Sequence, residues 1–139
     1  MSAKYKIQLH SNVSSLLNSK ELDAVIVATP NRLHEKHTIS LLRKKIPVLL
    51  EKPISDNIKS AKKIINIAEK NKTPLLIGYH RRHNSIVTEV KDIIKSGKLG
   101  KIISANILCW LYKHDKYFKE KWRISRGGGP LGILSLIHI

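Results

Sequence analysis

Acidic residues are scarce in this chain, cysteine is all but absent and aromatic side chains are few. The 139 residues hold 10 Asp and Glu against 26 Lys and Arg, a formal charge of +16. Cys109 is the one cysteine, so no disulfide can close within the chain and nothing points to an oxidising compartment. No apolar run approaches the ~18–20 residues of a membrane-spanning helix. Residues Met1 to Ser11 are mixed and polar, unlike a secretory signal. A cytoplasmic location is the default expectation. Also missing is a phosphate-cradling Gly-x-Gly-x-x-Gly turn between a strand and a helix. The run Gly127-Gly128-Gly129 is no substitute, because no strand leads into it. Internal repeats and low-complexity linkers are absent as well.

The surplus of positive charge invites a nucleic-acid partner. Two features weigh against it. Lys outnumbers Arg by 20 to 6, and lysine is the poorer residue for bidentate phosphate or base contacts. The lysines are also spread along the chain, with no basic arm and no aromatic-interleaved stripe. A lysine-rich solvated surface is the plainer explanation. The length suits one ordinary domain and is short for two. A hydrophobic content of 42% is adequate for its core.

What is present is a regular alternation. Asp23-Ala-Val-Ile-Val-Ala-Thr-Pro30 is a continuous apolar run, rich in β-branched residues and stopped by Thr-Pro, as in a buried parallel strand. Asn31 can cap a helix to about Lys45 that buries Leu33, Leu41 and Leu42. Pro47-Val-Leu-Leu50 is a second strand, ending abruptly in the charged Glu51-Lys52-Pro53. Ser55 or Asp56 can cap the next helix, with Ile58, Ala61, Ile64, Ile65 and Ala68 on one face. Thr73-Pro74 breaks it, and Leu75-Leu-Ile-Gly78 is a third buried strand. Strand, helix, strand, helix, strand is the pattern of a parallel α/β sheet. Before it, Tyr5 to His10 is a candidate short strand and Val13 to Ser19 a short helix.

After Arg82 the pattern changes. Ile86, Val87, Val90, Ile93 and Ile94 mark an amphipathic helix stopped by Gly97 and Gly100. Lys101 to Tyr112 alternates as a long strand, with Ile103, Ala105, Ile107 and Cys109 on one face. That suggests the start of a second domain on an antiparallel sheet, with Trp110 and Trp122 in its core.

The ordered set of motifs resembles the Gfo/Idh/MocA family of nicotinamide-dependent oxidoreductases. Asp23 to His34 resembles the fourth strand and following turn of that family's dinucleotide-binding domain. Glu51-Lys52-Pro53 matches its best-known tripeptide, and Ile77-Gly-Tyr-His-Arg-Arg-His-Asn84 resembles the crossing into its second domain. Ser96 to Ile102, and Trp122-Arg123 up to Gly127-Gly-Gly-Pro130, fit the early part of that second domain.

The resemblance implies a partial doubly wound, Rossmann-like parallel sheet over residues 1–82, lacking its first two strands. Residues 83–133 would begin an α+β substrate and oligomerisation domain. The implied cofactor is NAD or NADP, and the substrate a sugar, cyclitol or related polyol. In open α/β sheets ligands sit beyond the carboxyl ends of the strands. There the resemblance assigns Ala28, Thr29, Pro30, Asn31, His34, Glu51 and Pro53 to the cofactor. It assigns Lys52 to the substrate hydroxyl that loses its proton as hydride leaves the same carbon, a task suited to lysine in a partly dry site. A cis Lys52-Pro53 bond is part of the same expectation. Capping or surface exposure remains open for His34, and an ordinary strand-end charge pair for Glu51 and Lys52. His34 with His37, and His80 with His83, have i,i+3 spacing but no acidic or Cys partner, so no metal is expected. Arg81 and Arg82 could meet a phosphate or support the domain junction, and the junction is favoured.

The family's glycine turn would lie before the first recognisable strand, so the chain is expected to be an internal piece of a longer enzyme. In sheet order 3-2-1-4-5-6, Asp23–Ala28 would be strand 4, left as a bare apolar edge prone to aggregation. Such a piece alone should be insoluble or molten and bind no dinucleotide. At the other end, the family pattern after the glycine run puts Asn at position 134 and His at 137. Leu134 and Ile137 stand there, and His138 is one residue late. Leu134-Ser-Leu-Ile-His-Ile139 also resembles the translation of a transposon end used in sequencing libraries, so residues 134–139 are candidates for a non-native tail. The full-length protein is expected to be a homo-oligomer with no nucleic-acid or membrane partner. The competing expectations are a truncated, non-catalytic family member serving as a scaffold, and a basic nucleic-acid-binding module.

Overall fold

Three short apolar runs pair side by side in the computed structural model, which describes residues 7–18, 22–108, 110 and 112–121. Val25–Val27 (β1), Val48–Leu50 (β2) and Leu75–Ile77 (β3) form one parallel sheet in the order β1-β2-β3. Val27 lies opposite Leu50, and Leu50 opposite Ile77. A short helix, Val13–Leu17 (α1), precedes β1 and is closed by a capping box between Asn12 and Ser15. It matches the helix expected at Val13–Ser19. Residues 7–10 form no strand, and the rest of the expected Tyr5–His10 strand lies outside the described residues.

After β1 comes a 3-10 turn, Asn31–Leu33, and then the helix His34–Arg43 (α2). Asn31 is the first residue of that turn and not a cap. Pro30 holds the cap position, and its carbonyl accepts from Leu33 N–H at 2.8 Å. The helix Ile58–Lys70 (α3) joins β2 to β3. Its cap is Asn57, not Ser55 or Asp56. The extended backbone of Asn57 aims its Oδ1 at Ser60 N–H, 2.8 Å away, while Asp56 Oδ1 accepts from Ser55 and Asn57 side chains.

Both helices end in the same way. Lys45 and Lys72 take positive φ values of 58° and 50° one residue past the caps Lys44 and Asn71. Ile46 and Lys45 N–H groups reach back to Leu41 and Leu42 carbonyls, and Thr73 and Lys72 to Ala68 and Glu69. This is the Schellman arrangement, with lysine where glycine is usual. Each closure is followed by a proline, Pro47 or Pro74, whose carbonyl receives the first N–H of the neighbouring strand (Val25 or Val48). Helix end and strand start are thus one continuous device.

The core is Val27, Val48 and Leu50 from the sheet, Ile39, Leu41 and Leu42 from α2, and Ile64 and Ala68 from α3. All of it lies on one side of the sheet. Both crossovers step the same way, and right-handed crossovers stepping one way put their helices on one face. The strands therefore do not have two buried faces, as their continuous apolar runs suggest. Ile26 and Leu76 on the other face are 69% and 67% exposed. The expected apolar face of α3 is likewise only half used: Ile64 and Ala68 are buried, Ala61 is half-buried, and Ile58 and Ile65 are exposed. On α2, Leu41 and Leu42 are buried and Leu33, in the turn before it, is half-buried.

Beyond a 3-10 turn at His80–His83, the helix Ser85–Lys95 (α4) is capped by Asn84 and ended at Gly97, φ 72°. The long strand expected from Lys101 to Tyr112 does not form in the described residues there. A strand needs a neighbour for its N–H and C=O groups, and no described segment pairs with this one. Accordingly Ile103 and Trp110 are 92% and 89% exposed, and Trp110 fills no core. A last short helix is Asp115–Phe118 (α5). Among the described residues no helix is long and apolar enough to cross a membrane. Trp122, Arg123, the Gly127–Pro130 run and the Leu134–Ile139 tail with His138 lie outside the described residues.

Candidate active site

The parallel ladder continues one residue past the strands on their carboxyl side. Glu51 N–H donates to Val27 O at 2.9 Å, and Gly78 N–H to Leu50 O at 2.8 Å. Three turns therefore leave the sheet from one line: Ala28-Thr29-Pro30 after β1, Glu51-Lys52-Pro53 after β2, and Gly78-Tyr79 after β3. Ala28 and Glu51 are exposed, Thr29, Pro30, Lys52 and Pro53 half-buried, and Asn31 buried. The Lys52-Pro53 peptide is cis. Lys52 thus sits on the central strand's turn, flanked by the other two.

His34, at the start of α2, ties two of these turns together. The side chain is 1% exposed. Its Nδ1 lies 2.8 Å from Pro53 O and its Nε2 2.8 Å from Thr29 O. Surface exposure, one of the alternatives for His34, is excluded by that burial. With both nitrogens on backbone carbonyls, the ring links Thr29 to Pro53. His37, one turn on, has Nδ1 3.3 Å from Thr29 Oγ1. The two histidines thus grip one threonine, by its carbonyl and by its hydroxyl. Burial above all, then Lys36 and His34, hold the His37 pKa below its ordinary 6.5. Among the described residues no group of three or more His, Cys, Asp or Glu is placed to hold a metal.

Glu51 and Gly78 make a second close approach. A Cβ built on Gly78 would meet the Glu51 carboxylate at 3.3 Å, tighter than most side-chain contacts. Glu51 Oε2 also accepts from Lys52 N–H at 3.2 Å. Behind the edge, Glu35 of α2 accepts hydrogen bonds from Lys63 Nζ (2.7 Å) and from Ser60 Oγ, both on α3. The Lys63 bond first, and the Ser60 bond next, hold the Glu35 carboxyl below its ordinary 4.5.

Two of these contacts, Gly78 against Glu51 and His37 against Thr29, go beyond what sequence reasoning assigns. Gly78 carries a readable signal, a glycine ending a strand beside a charged strand-end residue. His37 carries only its spacing from His34, which is equally a metal-ligand spacing. Of the remaining motif residues, His80, Arg81, Arg82 and His83 are exposed in the turn after β3.

A family model described as the oxidoreductase family GFO/IDH/MocA, NAD-binding Rossmann fold, matches residues 1–79. The rhizopine catabolism protein MocA of Rhizobium meliloti is 29% identical over 104 residues, covering 75% of this chain and 33% of that protein. The 1,5-anhydro-D-fructose reductase of Ensifer adhaerens is 29% identical over 124 residues, covering 87% and 37% respectively. Among solved structures, the WlbA dehydrogenase from Bordetella pertussis, in complex with NADH and UDP-GlcNAcA, superposes with a TM-score of 0.69. It is 25% identical and is matched over 72% of this chain and 29% of its own. The chain spans about a third of the length of the curated relatives it matches.

Proposed function

Since the chain belongs to the GFO/IDH/MocA oxidoreductase family, with its NAD-binding Rossmann fold, we propose that it comprises the carboxyl-terminal part of a dinucleotide domain and the start of a second domain in a longer NAD(P)-dependent enzyme. That enzyme oxidises or reduces a sugar, cyclitol or related polyol at one carbon. Residues 1–82 belong to the dinucleotide domain, and residues 83–133 begin the domain that holds substrate and joins subunits. The observation that carries this reading is the convergence of three strand-end turns on one carboxyl edge, with Lys52 on the middle one.

The residues present fit one end of a dinucleotide. Exposed Ala28 and half-buried Thr29 and Pro30 follow β1, and half-buried Lys52 follows the neighbouring β2, so a flat ring and its ribose can lie along the edge. Asn31, Glu51 and Pro53 complete that lining, and His34 supports it from behind. Among the described residues no Gly-x-Gly-x-x-Gly turn stands between a strand and a helix for the pyrophosphate; the string with that spacing, Gly127 to Gly132, lies outside them. When bound, the nicotinamide supplies the hydride chemistry. Lys52 orients the substrate hydroxyl and holds at Nζ the proton that this hydroxyl releases or receives. The pairing of homologues that act on an anhydrofructose and on inositol supports the polyol class.

The test is turnover of inositols and sugars by the full-length gene product with NAD and with NADP, alongside Lys52→Met. The variant should keep dinucleotide binding and lose about 10²–10⁴-fold in kcat. Unchanged kcat would remove Lys52 from the chemistry.

A further inference from the structure

Thr29 and Pro53 are 24 positions apart in sequence, on turns that leave different strands. One buried side chain contacts the backbone of both. We infer that His34 is a positioning residue whose imidazole locks the turn after β1 to the turn after β2, and so sets where Lys52 stands. This rests on the oxidoreductase reading for its catalytic consequence, though not for the lock itself.

Each His34 nitrogen lies 2.8 Å from a carbonyl oxygen, Pro53 O at Nδ1 and Thr29 O at Nε2. A carbonyl oxygen only accepts. Both contacts are hydrogen bonds when the ring carries a proton on each nitrogen, and the positive charge then strengthens both. A neutral ring keeps one bond and turns a lone pair on the other carbonyl. The carboxylates nearby in sequence are engaged elsewhere: Glu35 with Ser60 and Lys63, and Glu51 with Lys52 N–H beside Gly78. The other titratable groups on the packed elements are Lys52 on the β2 turn with Asp56 beyond it, which accepts from Ser55 and Asn57, then Lys36, His37 and Arg43 on α2, and Lys59, Lys62, Lys63, Glu69 and Lys70 on α3. The turn after β1 carries only Arg32, which is exposed. The two carbonyls are therefore the ring's bonding partners.

Pro53 directly follows Lys52, so a bond to the Pro53 carbonyl restrains the backbone one residue beyond the lysine. Thr29 is restrained twice, through its carbonyl by His34 and beside its hydroxyl by His37. Misplacement of a reacting group by about 1 Å can cost on the order of 100-fold in rate, so a lock of this kind acts on turnover more than on affinity.

Amide hydrogen exchange by mass spectrometry on the full-length gene product tests the lock. His34→Asn keeps an N–H near the Nδ1 position, and His34→Gln keeps one near Nε2. Exchange in the 28–31 peptide should rise about tenfold or more in the Asn variant, with the 51–54 peptide little changed. The Gln variant should show the reverse, and His34→Ala should loosen both. A uniform rise that includes the buried α3 core, or no change in either turn, overturns the lock. If His34→Ala does not fold, the Asn and Gln pair decides. Kinetically, kcat should fall about 10–100-fold in the Ala variant with less than a threefold change in substrate KM. A fall in KM-related terms alone overturns the link to Lys52. Should the variants show the exchange pattern while the wild type turns over no polyol, the oxidoreductase reading fails and the lock stands.

Discussion

The two faces of the sheet are built from the same residue types and meet opposite fates. On one, Val27, Val48 and Leu50 are no more than 4% exposed, under α2 and α3. On the other, Ile26, Leu49 and Leu76 are 69%, 38% and 67% exposed. Alternation along a strand sends neighbouring residues to opposite faces, so an all-apolar strand is written for a sheet covered twice. The difference shows that this strand sequence anticipates more structure than its own two helices provide. Apolar area of this kind is a place where a chain associates.

The comparison can be broken most forcefully by expressing residues 1–139 alone. That polypeptide should aggregate or behave as a molten species and bind no dinucleotide, as size-exclusion chromatography, dye binding and calorimetry would report. A cooperative thermal transition with micromolar NAD affinity would overturn the expectation. A finer test sets one face against the other. In the full-length gene product, Leu50→Ala should lower unfolding free energy by about 2–5 kcal/mol, read from urea denaturation. Leu76→Ala should cost a comparable amount there if the second face is covered, and less than about 0.5 kcal/mol if it is solvated.

On the covered side the helix ends can be improved. Lys45→Gly and Lys72→Gly relieve left-handed backbone at non-glycine residues, and each should stabilise by up to about 1 kcal/mol. Glycine's greater freedom in the unfolded chain offsets part of that gain. No gain in the denaturation midpoint for either variant would count against the Schellman assignment.

The smallest effects are electrostatic, and both lie on the helices of the covered face. Glu35 has a native pKa below its ordinary 4.5, so its contribution is present above that value and is lost as pH falls through the lowered one. The Lys63 side chain is 56% exposed and that of Glu35 30%, which limits the pair to about 0–1 kcal/mol. His37 is held below 6.5 by burial. Its contribution is therefore full above 6.5 and declines as pH falls toward the lowered value, because the unfolded chain takes up the proton first. Urea midpoints measured from pH 7 downward, about one unit apart, should show a step below 6.5 that disappears in His37→Asn. A shallower acid limb in Glu35→Gln should accompany it. Identical profiles in wild type and variants would sink both assignments.

Much of the order along the chain is legible in its residues. The three strands, both connecting helices and the helix ended at Gly97 follow from apolar runs, periodicity and breakers. So does the position of Lys52 at a strand's carboxyl end. Caps are less legible: Ser55, Asp56 and Asn57 all suit the role, and the extended backbone at Asn57 selects it. The alternation from Lys101 to Tyr112 reads as a strand, but a period of two records only which side chains could share a face. Pairing is a property of a second segment.

Local chemistry alone determined where this chain turns, where it is helical and which residues end each strand, because those depend on neighbours within a few positions. Only the tertiary structure decided which sheet face is covered, since that depends on the direction of the crossovers. It also decided the role of His34. Its partners are two backbone carbonyls, 5 and 19 residues away, and a carbonyl is the one hydrogen-bonding group that every residue carries and no sequence pattern marks.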